Sequence, residues 1–325
     1  GRRHRLCLGS EHHQMGACKL MTIQDILQTI INSLPMMGRY ALVTMGIVLI
    51  FRTTATTNFA QGLIATFGTF VVTWAALLWT EMSLWLCLLL GMLAGFAIGM
   101  FVDVALIRRA RHITPSGKQM ITMGVMMILV NIIPVVFRDI TIWNRPGKGF
   151  TTEILHFELF GYSMSITAMG LLCFGLAAVS LSLVFAALKF TKWGLGVRAT
   201  AANESVAQML GVNTKVITAF SWGLAGALAT LGGFFTGAGT ALNVTLMGST
   251  QVFGFLACVL GGFSSFPAPI LGAAIIPLVY NFVGNPNLMG PDAGMWQNMI
   301  TFIIVLLLIL IFPNGLLGKK YIKKV

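Results

Sequence analysis

Residues 194–213 read GLGVRATAANESVAQMLGVN. The stretch is mildly polar and helix-capable, and it lies between two long apolar regions. Downstream, no side chain from Val216 to Pro291 carries a charge, and none does from Ala293 to Gly318. A helical membrane span needs about 20 mostly apolar residues, so these regions hold several. The chain reads as an all-α, polytopic transmembrane bundle. Residues 194–213 then form a small structured insertion between spans, longer than a simple reversal of direction needs. The short alternating segments of a membrane β-barrel are not seen.

Composition agrees. The 325 residues are 57% hydrophobic and 9% charged, against about 25% charged in a soluble domain. The net charge of +12 does not describe a nucleic-acid surface, because the cations sit at the ends of apolar runs. One cluster is Arg108, Arg109, Arg111 and Lys118. A second is Lys189, Lys192, Arg198 and Lys215, and a third is Lys319, Lys320, Lys323 and Lys324. Together they hold twelve of the 21 basic residues and are assigned to the cytoplasmic side. The segment 138–158 carries three basic and three acidic residues, a balance that fits the outer side.

Cys87, Cys173 and Cys258 lie inside apolar runs and read as small core residues. With Cys7 and Cys18 they show no metal or disulfide spacing. No cofactor or metal is expected. Residues 1–20 are basic, His-containing and non-periodic, and read as an upstream or non-native extension before Met21. Residues 21–325 read as one transmembrane domain.

The apolar runs suggest about eight to ten spans, counting short or broken helices. A short interfacial helix at 24–31 precedes a span near 34–51, a second that follows Asn58–Gly62 and runs to about 79, and others near 83–106, 119–137, 165–188 and 215–238, with residues 138–162 as a loop. Two shorter runs, 250–262 and 268–284, are punctuated by Gly261-Gly262 and Pro267-Pro269. A last span covers about 295–312. Counting back from an inside C-terminus puts all three basic clusters on the same side. It also puts Arg52 inside and the start of the first span outside, unless residues 22–33 form a further half-span.

Gly91, Gly95 and Gly99 are spaced i, i+4, i+8, which allows close helix approach. Packing within the chain is favoured over a dimer interface. Broken helices are tolerated at membrane depth where they line a cavity or are buried in protein, and they often mark a transport path. Asn58, Phe59, Gln61, Gly62, Gly261 and Gly262 are therefore candidate path residues, with a helix-start cap as the other reading of Asn58. Phe59-Ala60-Gln61-Gly62 and Phe253-Gly254-Phe255 form a weak internal similarity.

Within the insertion, Asn203 is placed to accept a backbone N–H bond at a helix start, with Glu204 in the first turn. Gly211 suits the left-handed position after a helix end. Ala202, Val206, Met209 and Leu210 fall on one face by i, i+3, i+4 spacing, with Ala207 between them. The expectation is a two-turn helix near 203–210 with a small apolar face. Such a face is a weak lipid anchor, so it reads as a docking surface for a soluble partner.

Here a resemblance enters. Gly196-Val197-Arg198-Ala199, Ala202-Asn203-Glu204, Ala207 and Leu210-Gly211-Val212-Asn213 resemble the cytoplasmic loop of permease subunits of branched-chain amino-acid ABC importers. So do Asn58-Phe59-Ala60-Gln61-Gly62 with Phe67-Gly68, Val259-Leu260-Gly261-Gly262-Phe263-Ser264-Ser265, and Phe312-Pro313-Asn314-Gly315-Leu316-Leu317-Gly318. The wider family includes sugar and urea permeases. The resemblance implies a pore of two permease subunits in a bacterial cytoplasmic membrane. It also implies two ATPase subunits docked on the cytoplasmic loops and an external substrate-binding protein. Residues 202–211 would be the coupling helix. In many importer permeases Glu-Ala-Ala is followed three residues later by Gly. Here Glu204 precedes Gly211 by one position more, and Ser205-Val206 replace Ala-Ala.

No GxxxxGK[ST] phosphate loop occurs, and no nucleophile–base arrangement stands out, so the chain is not expected to hydrolyse ATP. Arg39, Glu81, Asn131 and Asn281 lie in or near apolar runs. A charge at a span centre costs about 2.5–3.5 kcal/mol on insertion scales, so Arg39 must snorkel, pair or face water. Asp103 is expected to pair locally with Arg108. The rival class, a secondary transporter or channel, usually carries ionisable groups at mid-membrane, which the uncharged region 216–291 lacks.

Overall fold

The computed structural model describes residues 23–316, apart from 80–81, 111, 138–152, 160, 239, 264, 291 and 313–314. The expectations for residues 1–20, Glu81, the charges of 138–152 and the C-terminal lysines lie outside the described residues. Twelve α-helices are described: α1 (Ile23–Thr54), α2 (Gln61–Leu78), α3 (Leu84–Val102), α4 (Pro115–Val136), α5 (Ala168–Phe190), α6 (Lys192–Ala202), α7 (Glu204–Met209), α8 (Thr214–Gly237), α9 (Gly248–Gly261), α10 (Ala268–Val283), α11 (Pro286–Met289) and α12 (Ala293–Ile311). Seven of these helical runs are long and apolar enough to cross a membrane, and α9 and α10 are shorter apolar helices. The expected count of spans stands.

α1, α2 and α8 form the buried centre, whereas α4, α5 and α12 are largely exposed. Threonine and glycine bring these central helices close together, beside the buried Trp222 and Phe234 of α8 and Leu42 and Met45 of α1. Gly95 and Gly99 of α3 lie against the backbone of Gly226 and Trp222 on α8, and Gly91 lies against Gly68 and Val72 of α2. Gly46 of α1 meets Ala225 of α8. A Cβ at any of these positions would collide with backbone or a fixed side chain. The glycine stripe on α3 therefore packs within the chain. Thr66, Thr69, Thr73, Ser221 and Thr230 bond the carbonyl four residues back, which satisfies their hydroxyls inside the apolar bundle.

One expectation is corrected at the start. The interfacial helix at 24–31 and the span at 34–51 are one continuous helix, α1, of 32 residues, about 48 Å at the usual rise. Pro35 lies inside it and does not end it. The N-terminal part is tied down by tertiary contacts. Gln28 bonds the backbone of Ser165 in both directions, and Thr29 and Ser33 accept from Asn285 and Asn281. The half-span alternative is removed, and Ile23 lies at the opposite end of the bundle from Arg52.

A second correction concerns residues 154–167, read as loop and the start of the fifth span. They form a hairpin, β1 (Ile154–Leu159) paired antiparallel with β2 (Tyr162–Thr167). Met164 and Ile166 are buried beside Ile31 while Ser163 and Thr167 face out. The α4–α5 hairpin, the N-terminal part of α1 and the α10–α11 turn share one face of the bundle, here called the hairpin face. Arg108, Lys118 and Glu204 line a common cleft at the other end with Thr54 of α1, here called the basic face. Leu316 donates its N–H to Leu260 at 2.8 Å, so the ends of α9 and α12 also lie together.

Candidate functional site

Two regions carry chemistry, one at mid-depth and one on the basic face. At mid-depth, α2 and α9 both begin inside the bundle. Gln61, the first residue of α2, donates to the Val43 carbonyl at 3.2 Å and lies against Gly46, which in turn meets Ala225. Ala225 is halfway along the 24 residues of α8. Between α8 and α9 the chain is irregular, with Leu242 and Met247 inside the core and Thr240, Ala241, Asn243 and Thr245 exposed. Irregular backbone at this depth must find its bonds within the protein.

Gln251, near the start of α9, bonds the irregular turn that leads into α2. This side chain donates to the Phe59 carbonyl at 2.6 Å and accepts the Gly62 N–H at 2.7 Å. The two bonds satisfy backbone groups that the start of α2 leaves open. Phe59 packs on Phe255 with ring centroids 5.3 Å apart, so the two weakly similar segments meet in space. Phe59 also takes a bond from its own N–H to Thr122 of α4, and Gln119 bonds Thr57. The Oε1 of Gln61 is buried and has no hydrogen-bond partner, an acceptor left open in the interior.

The candidate path residues divide. Asn58 accepts the Ala60 N–H at 2.9 Å, so it caps the turn into α2 and spends its oxygen there. Phe59, Gln61 and Gly62 cluster with Gln251. Gly261 and Gly262 are at the other end of α9, about 15 Å away along its axis by the helical rise. There Gly261 packs on the Ala268–Pro269 backbone, and Gly262, at φ +85°, meets Gly315. Those two glycines serve helix contact, and the six residues do not make one site. Gln251 was not foreseen; a lone amide in the first turn of an apolar helix was its signal.

On the basic face, residues 192–213 form two helices rather than one. α6 and α7 are separated by extended Asn203 (φ −163°, ψ 110°), whose Oδ1 accepts the Val206 N–H at 3.2 Å. Gly211 closes α7 at φ +82°. Its N–H bonds Gln208, and the Val212 N–H bonds Ala207, both at 3.0 Å; this is a Schellman ending. Both expected caps are present. The single apolar face is corrected, because Ala202 belongs to α6, across the break.

Ala207 is the only residue of α7 that is buried. Val206, Met209 and Leu210 project outward, the last two more than three-quarters exposed. Gln208 donates to Glu204 at 3.1 Å and to Thr214 at the start of α8 at 2.9 Å. Behind α7 is a polar cleft of about 410 Å³. In it Arg108 pairs with Asp103 at 3.4 Å and donates to the Lys215 carbonyl at 2.7 Å, and Thr218 donates to Asp103 at 3.3 Å. The expected Asp103–Arg108 pair is present, set on the π-helical turn 103–107. α7 is thus joined to α8, and α8 is fitted into α1 and α3.

A second polar cleft, of about 270 Å³, opens near the hairpin face between α1, α10 and α12, lined by Asp25, Gln28, Asn32, Asn281, Asn285 and Gln297. Among the described residues no group of His, Cys, Asp and Glu is arranged to hold a metal.

Among the described residues nine apolar helices pack together, the architecture of a polytopic helical membrane protein. The chain belongs to the family described as branched-chain amino acid transport system / permease component, which matches residues 29–312. It is therefore a transport component rather than an enzyme. It is similar to the high-affinity branched-chain amino acid transport system permease protein LivH of Salmonella typhimurium, at 22% identity over 92% of this chain and 97% of that one. BraD of Pseudomonas aeruginosa, a permease protein of the same description, is 25% identical over 93% and 99%. A probable LivH of Methanocaldococcus jannaschii is 27% identical over 87% and 89%.

Proposed function

We propose that this chain is the membrane-spanning permease subunit of an ATP-binding-cassette importer of the bacterial cytoplasmic membrane. It moves branched-chain amino acids, or small solutes like them, by alternating access. Two separate ATPase subunits supply the energy, and an external binding protein delivers solute at the hairpin face. A second permease subunit completes the pore. The basic face is cytoplasmic by the distribution of Lys and Arg.

The observation that carries this reading is α7. A helix with its apolar ridge turned to water, and one small residue turned in, is built for contact with another protein. Its links through Gln208–Thr214 to α8 give ATPase movement a route into the centre of the bundle. There α8 meets α1 beside Gln61, and the start of α2, which Gln251 holds, supplies polar groups to a passing solute.

The test is purification of the complex from membranes, followed by ATPase assay in proteoliposomes. Co-purification of an ATPase subunit, lost on Leu210→Asp, supports the reading. Solute uptake by this chain alone, driven by a proton or sodium gradient, would overturn it.

A further inference from the structure

We propose that Arg39 of α1 and the open carboxamide oxygen of Gln61 form a two-point site for a zwitterionic solute, the guanidinium taking the carboxylate and Gln61 the ammonium. The proposal deepens the permease reading and rests on it.

Arg39 lies at the middle of α1, sixteen residues after Ile23 and fifteen before Thr54. It is the one charged residue between Ile26 and Phe51. The side chain is half-buried, and its Nε is buried without a hydrogen-bond partner among the described residues. No described carboxylate pairs with it; the ion pair that is described joins Arg108 to Asp103, on the basic face. A cation inside a span costs about 2.5–3.5 kcal/mol on insertion scales, and such residues face a cavity or a partner and mark solute paths.

The face of α1 that carries Arg39 can be followed both ways. Gln28, Asn32, Arg39, Val43 and Gly46 recur at intervals of four, seven, four and three residues, which keeps them on one side of a helix. Towards the start of α1, Gln28 and Asn32 line the cleft of about 270 Å³ near the hairpin face. Towards its end, Gln61 donates to the Val43 carbonyl and lies against Gly46. Along the axis, Arg39 is about 10 Å from Asn32 and about 6 Å from Val43. It therefore stands between a cleft at the hairpin face and the start of α2.

The two unsatisfied groups are of opposite kind. Gln61 is 1% exposed, and its Oε1 has no donor among the described residues. That oxygen only accepts, whereas a guanidinium only donates. The guanidinium fork takes a carboxylate in two parallel bonds. An uncharged polyol or a urea could donate to Gln61 but brings no anion to Arg39. A simple carboxylate fills Arg39 and leaves Gln61 open. A solute with carboxylate and ammonium on adjacent carbons supplies both, and its anion cancels the charge that α1 leaves uncompensated. Neither group touches the rest of such a solute, so the site reads the charged ends and not the side chain.

The experiment measures binding of labelled L-leucine to the permease–ATPase complex in proteoliposomes, without ATP and without the external binding protein. The competitors are isocaproate, which keeps the carboxylate and lacks the amine, and L-leucinamide, which keeps the amine and lacks the carboxylate. In the wild type both should compete, each more weakly than leucine. Arg39→Gln is expected to weaken leucine binding about tenfold or more and to abolish competition by isocaproate while leucinamide still competes. Gln61→Leu should do the reverse. Arg39→Lys keeps the charge without the fork and should fall between wild type and Arg39→Gln; it carries the test if Arg39→Gln does not accumulate. Isocaproate competition unchanged in the Arg39 variants, or equal loss of both competitors, overturns the two-point site. A wild type that binds none of the three probes also overturns it, and ATPase retained in that preparation leaves the permease reading standing.

Discussion

The carboxamide of Gln251 occupies the space that a side chain on Gly62 would need, and its oxygen accepts the Gly62 N–H at 2.7 Å. One residue near the start of α9 therefore holds the start of α2, from 189 positions away in sequence.

Gly62→Ala is expected to displace Gln251, breaking both of its bonds to the 59–62 backbone. Gln251→Leu leaves a buried N–H and a buried carbonyl unpaired, each costing about 1–3 kcal/mol. Both variants should lower thermal stability in detergent. Gln251→Glu keeps an acceptor for Gly62 but cannot donate to Phe59. It should fall between wild type and the leucine variant in the same melting assay.

The caps of α7 make a separate prediction. Asn203→Ala removes the bond to the Val206 N–H, at a cost of about 1 kcal/mol. Gly211→Val places a β-branched residue at positive φ, where such residues are outliers. Hydrogen exchange across 204–212 should accelerate in both, while α3 and α8 keep their protection. Solute-stimulated ATPase activity should fall, with membrane insertion unchanged. Wild-type coupling in both variants would sink the role of α7.

Neighbouring residues of α7 should behave oppositely. Leu210→Asp alters only an exposed ridge, so the subunit should keep its melting temperature and lose bound ATPase. Ala207→Asp puts a carboxylate at the one buried position and should destabilise the helix itself. A pull-down and a melting curve on each separate contact from folding.

Glycines on α3 and α5 should also differ. Gly95→Leu drives a side chain into the Gly226 backbone, and overpacking of this kind costs about 1–3 kcal/mol or more. Gly175→Leu meets nothing within 4 Å and should change stability by about 0.5 kcal/mol or less. Yield of folded protein by size-exclusion chromatography distinguishes them.

What the sequence made legible was local. Runs of apolar residues located α2 to α5, α8 to α10 and α12, because a span is defined by its own composition. Asn203 and Gly211 announced the ends of α7, because caps act over three or four residues. The alternation Tyr162-Ser-Met-Ser-Ile-Thr167 carried a strand signal too, outweighed by the apolar run that follows it. What stayed hidden depended on distant partners. α1 continues past Pro35 because the hairpin and α10 hold its first turns. Gln61 and Gln251 meet only after α2 and α9 have packed. Gly261 looked like a companion of Gly62, yet α9 sets the two about 15 Å apart.

α1, with 32 residues, is the longest of the described helices. At about 48 Å it exceeds a hydrocarbon core of about 30 Å. Its first turns carry the hairpin and its last turn reaches the rim of the basic-face cleft. Considered as a machine part, it is a push-rod rather than a wall. As one continuous helix it links the position of the hairpin to that of Thr54. The rod thus ends on the same cleft that Glu204 and Gln208 of α7 line, so the hairpin face and the basic face are tied to the two ends of one element.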